Sequence, residues 1–117
     1  LPALPFLYQG PHLIGEASGR SPAKVYLPIQ YEQQARWPVV ILLHGFTGTG
    51  DLQDAYLGLS ARVSTRGFIL ITPNGTITPQ GTVTVEGRDV SGAPFWNATD
   101  TCCDFARTGV DDVAYLK

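Results

Sequence analysis

Methionine is missing from this 117-residue sequence altogether, and cysteine occurs only as the adjacent pair Cys102-Cys103. The chain opens on Leu1, so its start is expected to have been processed or cut back. Charge is sparse: Asp, Glu, Lys and Arg make up 15% of the residues, and the net charge is −2. The eight Lys and Arg stand singly, which excludes the basic patch that a nucleic-acid surface needs. Apolar runs are short. Val39 to Leu43 falls far below the roughly 20 residues of a membrane span, and no basic stretch leads into an apolar one as in a signal peptide. Structural zinc sites separate paired cysteines by two to four residues and use a second ligand pair, a pattern that does not occur here. What is present is an ordinary globular composition, 44% hydrophobic, with room for one domain.

Along the chain, Leu1 to Gly19 is rich in Pro and Gly and reads as a lead-in loop with one edge strand. Val25, Tyr26 and Leu27 favour a second strand, which Pro28 ends. Val39-Val40-Ile41-Leu42-Leu43 is apolar at every position, as expected of a parallel strand buried on both faces. Asp51 is the expected cap of a helix in which Leu52, Tyr56, Leu59 and Val63 form one apolar stripe, with Gly67 as its left-handed stop. Phe68 to Ile71 reads as the next strand. Strand, helix and strand at this spacing predict a βαβ unit with parallel strands. The connection from Pro73 to Val110 is long, with a predicted hairpin pairing Thr82–Val85 with Arg88–Val90 across Glu86-Gly87. Asp111 or Asp112 is expected to cap a final helix from Val113 to Lys117.

The chemistry concentrates where the first apolar strand runs into His44-Gly45-Phe46-Thr47-Gly48. A strand that empties into a small-residue turn can aim a main-chain N–H at a carbonyl oxygen that becomes negative during acyl transfer. Gly45 leaves room for the turn, the Phe46 N–H is the candidate donor, and His44, Gly45 and Thr47 support the loop. The plain alternative is a strand-ending turn with an incidental histidine. Gly58-Leu59-Ser60-Ala61-Arg62 imitates a nucleophile elbow, but Arg62 replaces the second glycine and the string lies inside a predicted helix. Ser60 is therefore rejected as nucleophile.

The motifs recur in a set order. His44 to Gly48 is followed by Leu52-Gln53-Asp54-Ala55-Tyr56, Gly67-Phe68 and Thr72-Pro73-Asn74-Gly75-Thr76. Phe95-Trp96-Asn97-Ala98-Thr99-Asp100, the Cys102-Cys103 pair and Gly109-Val110-Asp111-Asp112-Val113 come after. In this series the chain resembles the polyhydroxybutyrate depolymerase and feruloyl-esterase-like branch of the α/β hydrolases, over Arg20 to Lys117. The resemblance implies the N-terminal portion of a single α/β-hydrolase domain, residues 1–117, with a mostly parallel sheet and flanking helices, incomplete in this chain. It implies a secreted or periplasmic carboxylic ester hydrolase without a cofactor, whose Ser nucleophile, base and acid lie outside these residues. The expected partner is the C-terminal half of the same hydrolase, as a separate or cleaved chain, and the ligand is an ester. In that strand order Val39–Leu43 sits between Phe68–Ile71 and the strand preceding the nucleophile.

Trp96 is the candidate wall of the substrate pocket, with simple packing of the long loop as the other reading. Adjacent Cα atoms lie about 3.8 Å apart across a trans peptide, short for a disulfide. Cys102 and Cys103 are thus expected to bond to cysteines elsewhere or to stay free, and an extracellular setting favours bonding. Asn74-Gly75-Thr76 and Asn97-Ala98-Thr99 fit the N-glycosylation pattern. A non-catalytic binding module and a peptidase of the same fold are the rival functional readings.

Overall fold

Gly10 and Pro11 shape the first strand: Gly10 has φ 103°, and the register of pairing shifts between Gln9 and His12. A side chain on Gly10 would meet the Val25 carbonyl at 2.9 Å, so only glycine lets β1 (Gln9–Ile14) lie this close to β2 (Ala23–Leu27). The computed structural model describes residues 7–15, 20–78, 84–99 and 101–117. Thr82 and Val83, expected in the hairpin, and Asp100 lie outside the described residues.

Four strands make the main sheet. β2 is antiparallel to both β1 and β4 (Ile69–Thr72), and β4 is parallel to β3 (Val39–Ile41), giving the order β1-β2-β4-β3. The strand–helix–strand segment thus pairs in parallel, with Val40 opposite Leu70. The remaining sheets are two-stranded. β5 (Thr76–Ile77) pairs with β8 (Pro94–Phe95), and β6 (Thr84–Val85) with β7 (Arg88–Asp89), all antiparallel.

This architecture overturns the expected fold class. The chain is built mostly of small antiparallel and mixed sheets with few helices, and not of a parallel sheet with flanking helices. The physical reason is local. One βαβ crossover yields one parallel pair, whereas β1, β2 and β4 meet antiparallel and the long connection folds into ribbons.

The helical stripe is also corrected. Gly58, at φ 68°, stops α1 (Gly50–Leu57), a 3₁₀ turn spans Ser60–Arg62, and α2 (Val63–Arg66) ends at left-handed Gly67. The break rotates the stripe apart: Val63 is fully buried, while Tyr56 is 83% exposed and Leu52 also faces solvent. Thr49, and not Asp51, caps α1, its Oγ1 accepting from the Leu52 N–H at 3.1 Å. Asp51 instead forms an exposed ion pair with Lys24 at 2.9 Å. Ser60 opens the 3₁₀ turn, with its N–H on Asp54 Oδ1, away from any strand-to-helix turn.

The core is small: Tyr26, Val63 and Leu70 are buried together, with Tyr8, Leu42, Leu59 and Phe68 packed around them. Burying each such aliphatic side chain contributes about 1.5–3 kcal/mol. Tyr8 meets Tyr26 edge-on at 4.9 Å. Burial chiefly, then the negative charges of Asp54 and Asp51 and the neighbouring Tyr8, push the Tyr26 hydroxyl up to about 12.

β3 departs furthest from expectation. It lies at the sheet edge, ends at Ile41, and exposes Val39, Val40 and Ile41. Ile69 N–H donates to the Pro38 carbonyl and Leu42 N–H to that of Ile71. By strand alternation, Val39, Ile41 and Leu43 turn their N–H and C=O groups outward, away from β4. A strand expected to be buried on both faces is instead half uncovered, with a paired neighbour on one side only among the described residues.

Candidate functional site

Beyond β3 the chain runs straight into the His44–Gly48 turn, closed by Gly48 N–H on the Gly45 carbonyl at 3.0 Å. Thr47 holds the left-handed φ of 69°, unusual for a β-branched residue, and its N–H donates to the Pro94 carbonyl of β8 at 2.9 Å. No described residue accepts from the Phe46 N–H. Of the two consecutive amides at the bend, one is occupied and the other has no acceptor among the described residues. The Phe46 ring rests edge-on against Phe105 at 5.3 Å.

His44 anchors this turn from within. It is buried, its Nε2 accepts from the Gly75 N–H at 2.9 Å, and its Nδ1 lies 2.7 Å from the Gly45 carbonyl. An amide can only donate, so Nε2 carries no proton and Nδ1–H donates to Gly45. His44 therefore acts as a clamp. Gly75 makes that clamp possible, since a Cβ there would fall inside the Phe95 backbone.

Trp96 reaches the same turn: its indole N–H donates to the His44 carbonyl at 3.0 Å, and the two rings lie 5.1 Å apart. The structure thus places Trp96 behind the turn, against His44. The open cleft beside Phe46 is lined instead by Thr47, Val85, Glu86, Arg88 and Val90.

Behind Trp96 lies a polar network that sequence reading missed. Arg20 forms a buried ion pair with Asp112 at 2.8 Å and stacks over Tyr115 at 3.7 Å, with Trp96 at 5.8 Å. The second Asp112 oxygen accepts from the Asn97 N–H at 2.6 Å. Asn74 accepts from Gly50 N–H at the start of α1 and donates to the Pro22 carbonyl. Asp111, not Asp112, caps α3 (Asp112–Leu116) through the Ala114 N–H at 2.9 Å. Sequence offers little signal for such a network, because Arg20 and Asp112 stand 92 positions apart. The side-chain amides of Asn74 and Asn97 donate to the carbonyls of Pro22 and Val110.

The Cys102 and Cys103 sulfurs stand against each other, and no other cysteine occurs in the chain. Their turn is tied to the site, since the Cys103 N–H donates to the Trp96 carbonyl at 3.1 Å. Farther out, burial pushes the Asp104 carboxyl up. Bonds from the Thr108 and Gly109 amides and the Thr108 hydroxyl outweigh it and hold the group below the usual carboxylate range.

No cluster of three or more His, Cys, Asp or Glu able to hold a metal gathers among the described residues. None of the described helices is long and apolar enough to cross a membrane. Compared with protein-family models and with curated proteins, the chain finds no match in either.

Proposed function

We propose that this chain is part of a carboxylic ester hydrolase and supplies its main-chain oxyanion donor, the Phe46 N–H. The observation that carries the reading is the pair of amides at the bend: Pro94 takes the Thr47 N–H, while the Phe46 N–H has no acceptor among the described residues. The buried His44 clamp and the Trp96 tether hold that donor in one place. Fixed donors of this kind stabilise charge as it develops, and each contributes about 100- to 1,000-fold in rate.

In this reading a serine hydroxyl attacks the ester carbonyl and its proton passes to a histidine base. The oxygen takes up negative charge against Phe46 N–H, and the alcohol leaves. Water then releases the acid from the acyl-enzyme. The serine, histidine and acid belong to a C-terminal portion, as a separate or cleaved chain, whose strand adds to the β3 edge. The uncovered apolar strand with outward N–H and C=O groups supports that placement. A secreted or periplasmic setting goes with this reading, as the sequence resemblance implies. Polyester and feruloyl esters are the substrates that the sequence resemblance favours.

The test is a pair of substitutions in the assembled enzyme. Phe46→Ala keeps the donor and should retain activity, whereas Phe46→Pro removes the N–H and should lower kcat by about 100-fold or more. Equal, mild losses would remove the assignment. The uncovered β3 edge fits a non-catalytic binding module equally well. A second polypeptide bearing a Gly-x-Ser-x-Gly turn in purified material separates the two.

A further inference from the structure

The cleft beside the candidate donor has a chemistry of its own. It measures about 520 Å3, within the range of small-molecule sites, and Phe46 and Thr47 form one wall. The other wall is the β6–β7 hairpin, whose two-residue turn, Glu86 at φ 50° and Gly87 at φ 78°, is the left-handed kind that holds tight hairpins. Val85 and Arg88 are register partners, so their side chains stand on the same face of the hairpin. Both line the cleft, as do Val90 and Glu86. Phe46, Val85 and Val90 make an apolar body. Arg88 is always charged and joins neither of the two ion pairs among the described residues, Arg20–Asp112 and Lys24–Asp51.

We propose that this cleft is a substrate subsite that prefers esters whose apolar acyl chain ends in a free carboxylate, with Arg88 as the group that recognises it. The inference rests on the hydrolase reading for its placement beside Phe46, but not for its ligand chemistry. The apolar walls take the chain, and the guanidinium offers a fork of N–H donors that matches a carboxylate. Glu86, at the hairpin tip, opposes the same anion and tempers the preference. The two charges therefore act in opposite directions on one ligand.

The experiment uses the complete protein and a matched pair of esters, 4-nitrophenyl hydrogen adipate and its methyl-capped counterpart, cleaved at the same bond. The acid-ended ester is expected to be favoured about tenfold in kcat/KM, mostly through KM. Arg88→Gln should bring the ratio of the two substrates to about one, and Glu86→Gln should raise it by a few-fold. Turnover of both esters with a ratio that Arg88→Gln leaves unchanged overturns the subsite. Should neither ester be cleaved, calorimetric binding of monobenzyl adipate and benzyl methyl adipate reads the cleft directly. Tighter binding of the acid, lost in Arg88→Gln, supports the subsite while removing the hydrolase reading. Equal binding, or none, overturns the subsite.

Discussion

Along one edge of the four-stranded sheet, Gly10-Pro11 shifts the register of β1 and removes an N–H, and His12 follows. Along the other edge, β3 runs Val39-Val40-Ile41 without a charge, a proline or a shift, and its outward N–H and C=O groups stand unpaired among the described residues. Irregular, proline-bearing edges resist the addition of another strand, and regular apolar ones invite it. One sheet therefore carries an edge built to end and an edge built to continue. The candidate donor at Phe46 lies just past the second, so whatever strand pairs with β3 is brought close to the site.

The largest effect expected from this asymmetry is on the chain expressed without a partner. Leaving several hundred Å2 of apolar surface in water costs on the order of 10 kcal/mol, comparable to the stability of a whole domain. Size-exclusion chromatography is expected to show self-association. A monomer with a cooperative melt would show that β3 needs no partner and would remove the half-hydrolase reading.

A proline can separate the two functions of β3. Ile41 turns its N–H outward, so Ile41→Pro leaves the β4 pairing bonds in place and blocks the free edge. Partner affinity in a pull-down or titration should fall by about tenfold to 100-fold. Unchanged affinity would place the partner elsewhere.

Between the edges, β2 and β4 share the buried core, and Tyr26 reports on it through pH. Its folded value of about 12 lies above the ordinary value of 10, so the fold favours the neutral hydroxyl. The stabilisation this provides is complete below about pH 10 and disappears as pH rises toward 12. Melting temperatures across that window should fall more steeply for the native protein than for Tyr26→Phe. Parallel curves would show that the hydroxyl is not buried as described.

The smallest effect belongs to the finished edge. Leu13 on β1 is exposed, so Leu13→Lys should change stability by no more than about 0.5 kcal/mol and leave partner binding intact. A loss comparable to that of Ile41→Pro would abolish the contrast between the edges.

Much of the local structure was legible because it depends on neighbours in the chain. Gly67 stops a helix by its left-handed φ, Glu86-Gly87 turns a hairpin, and β3 and β4 flank a helical segment and pair in parallel. The His44–Gly48 turn could likewise be read from a strand emptying into small residues. Other features were set at a distance. Gly58 broke the apolar stripe, so Val63 turned inward while Tyr56 faced solvent. β1 and β2 joined β4 antiparallel and overturned the parallel sheet.

Only tertiary structure decided which amide at the turn is engaged, because Pro94 reaches Thr47 from another sheet. It also placed Trp96 on the His44 carbonyl and Arg20 against Asp112. A sequence states what each residue prefers within a few positions of itself. Hydrogen bonds between residues 47 to 92 positions apart depend on where the backbone has already gone, and no local preference encodes that.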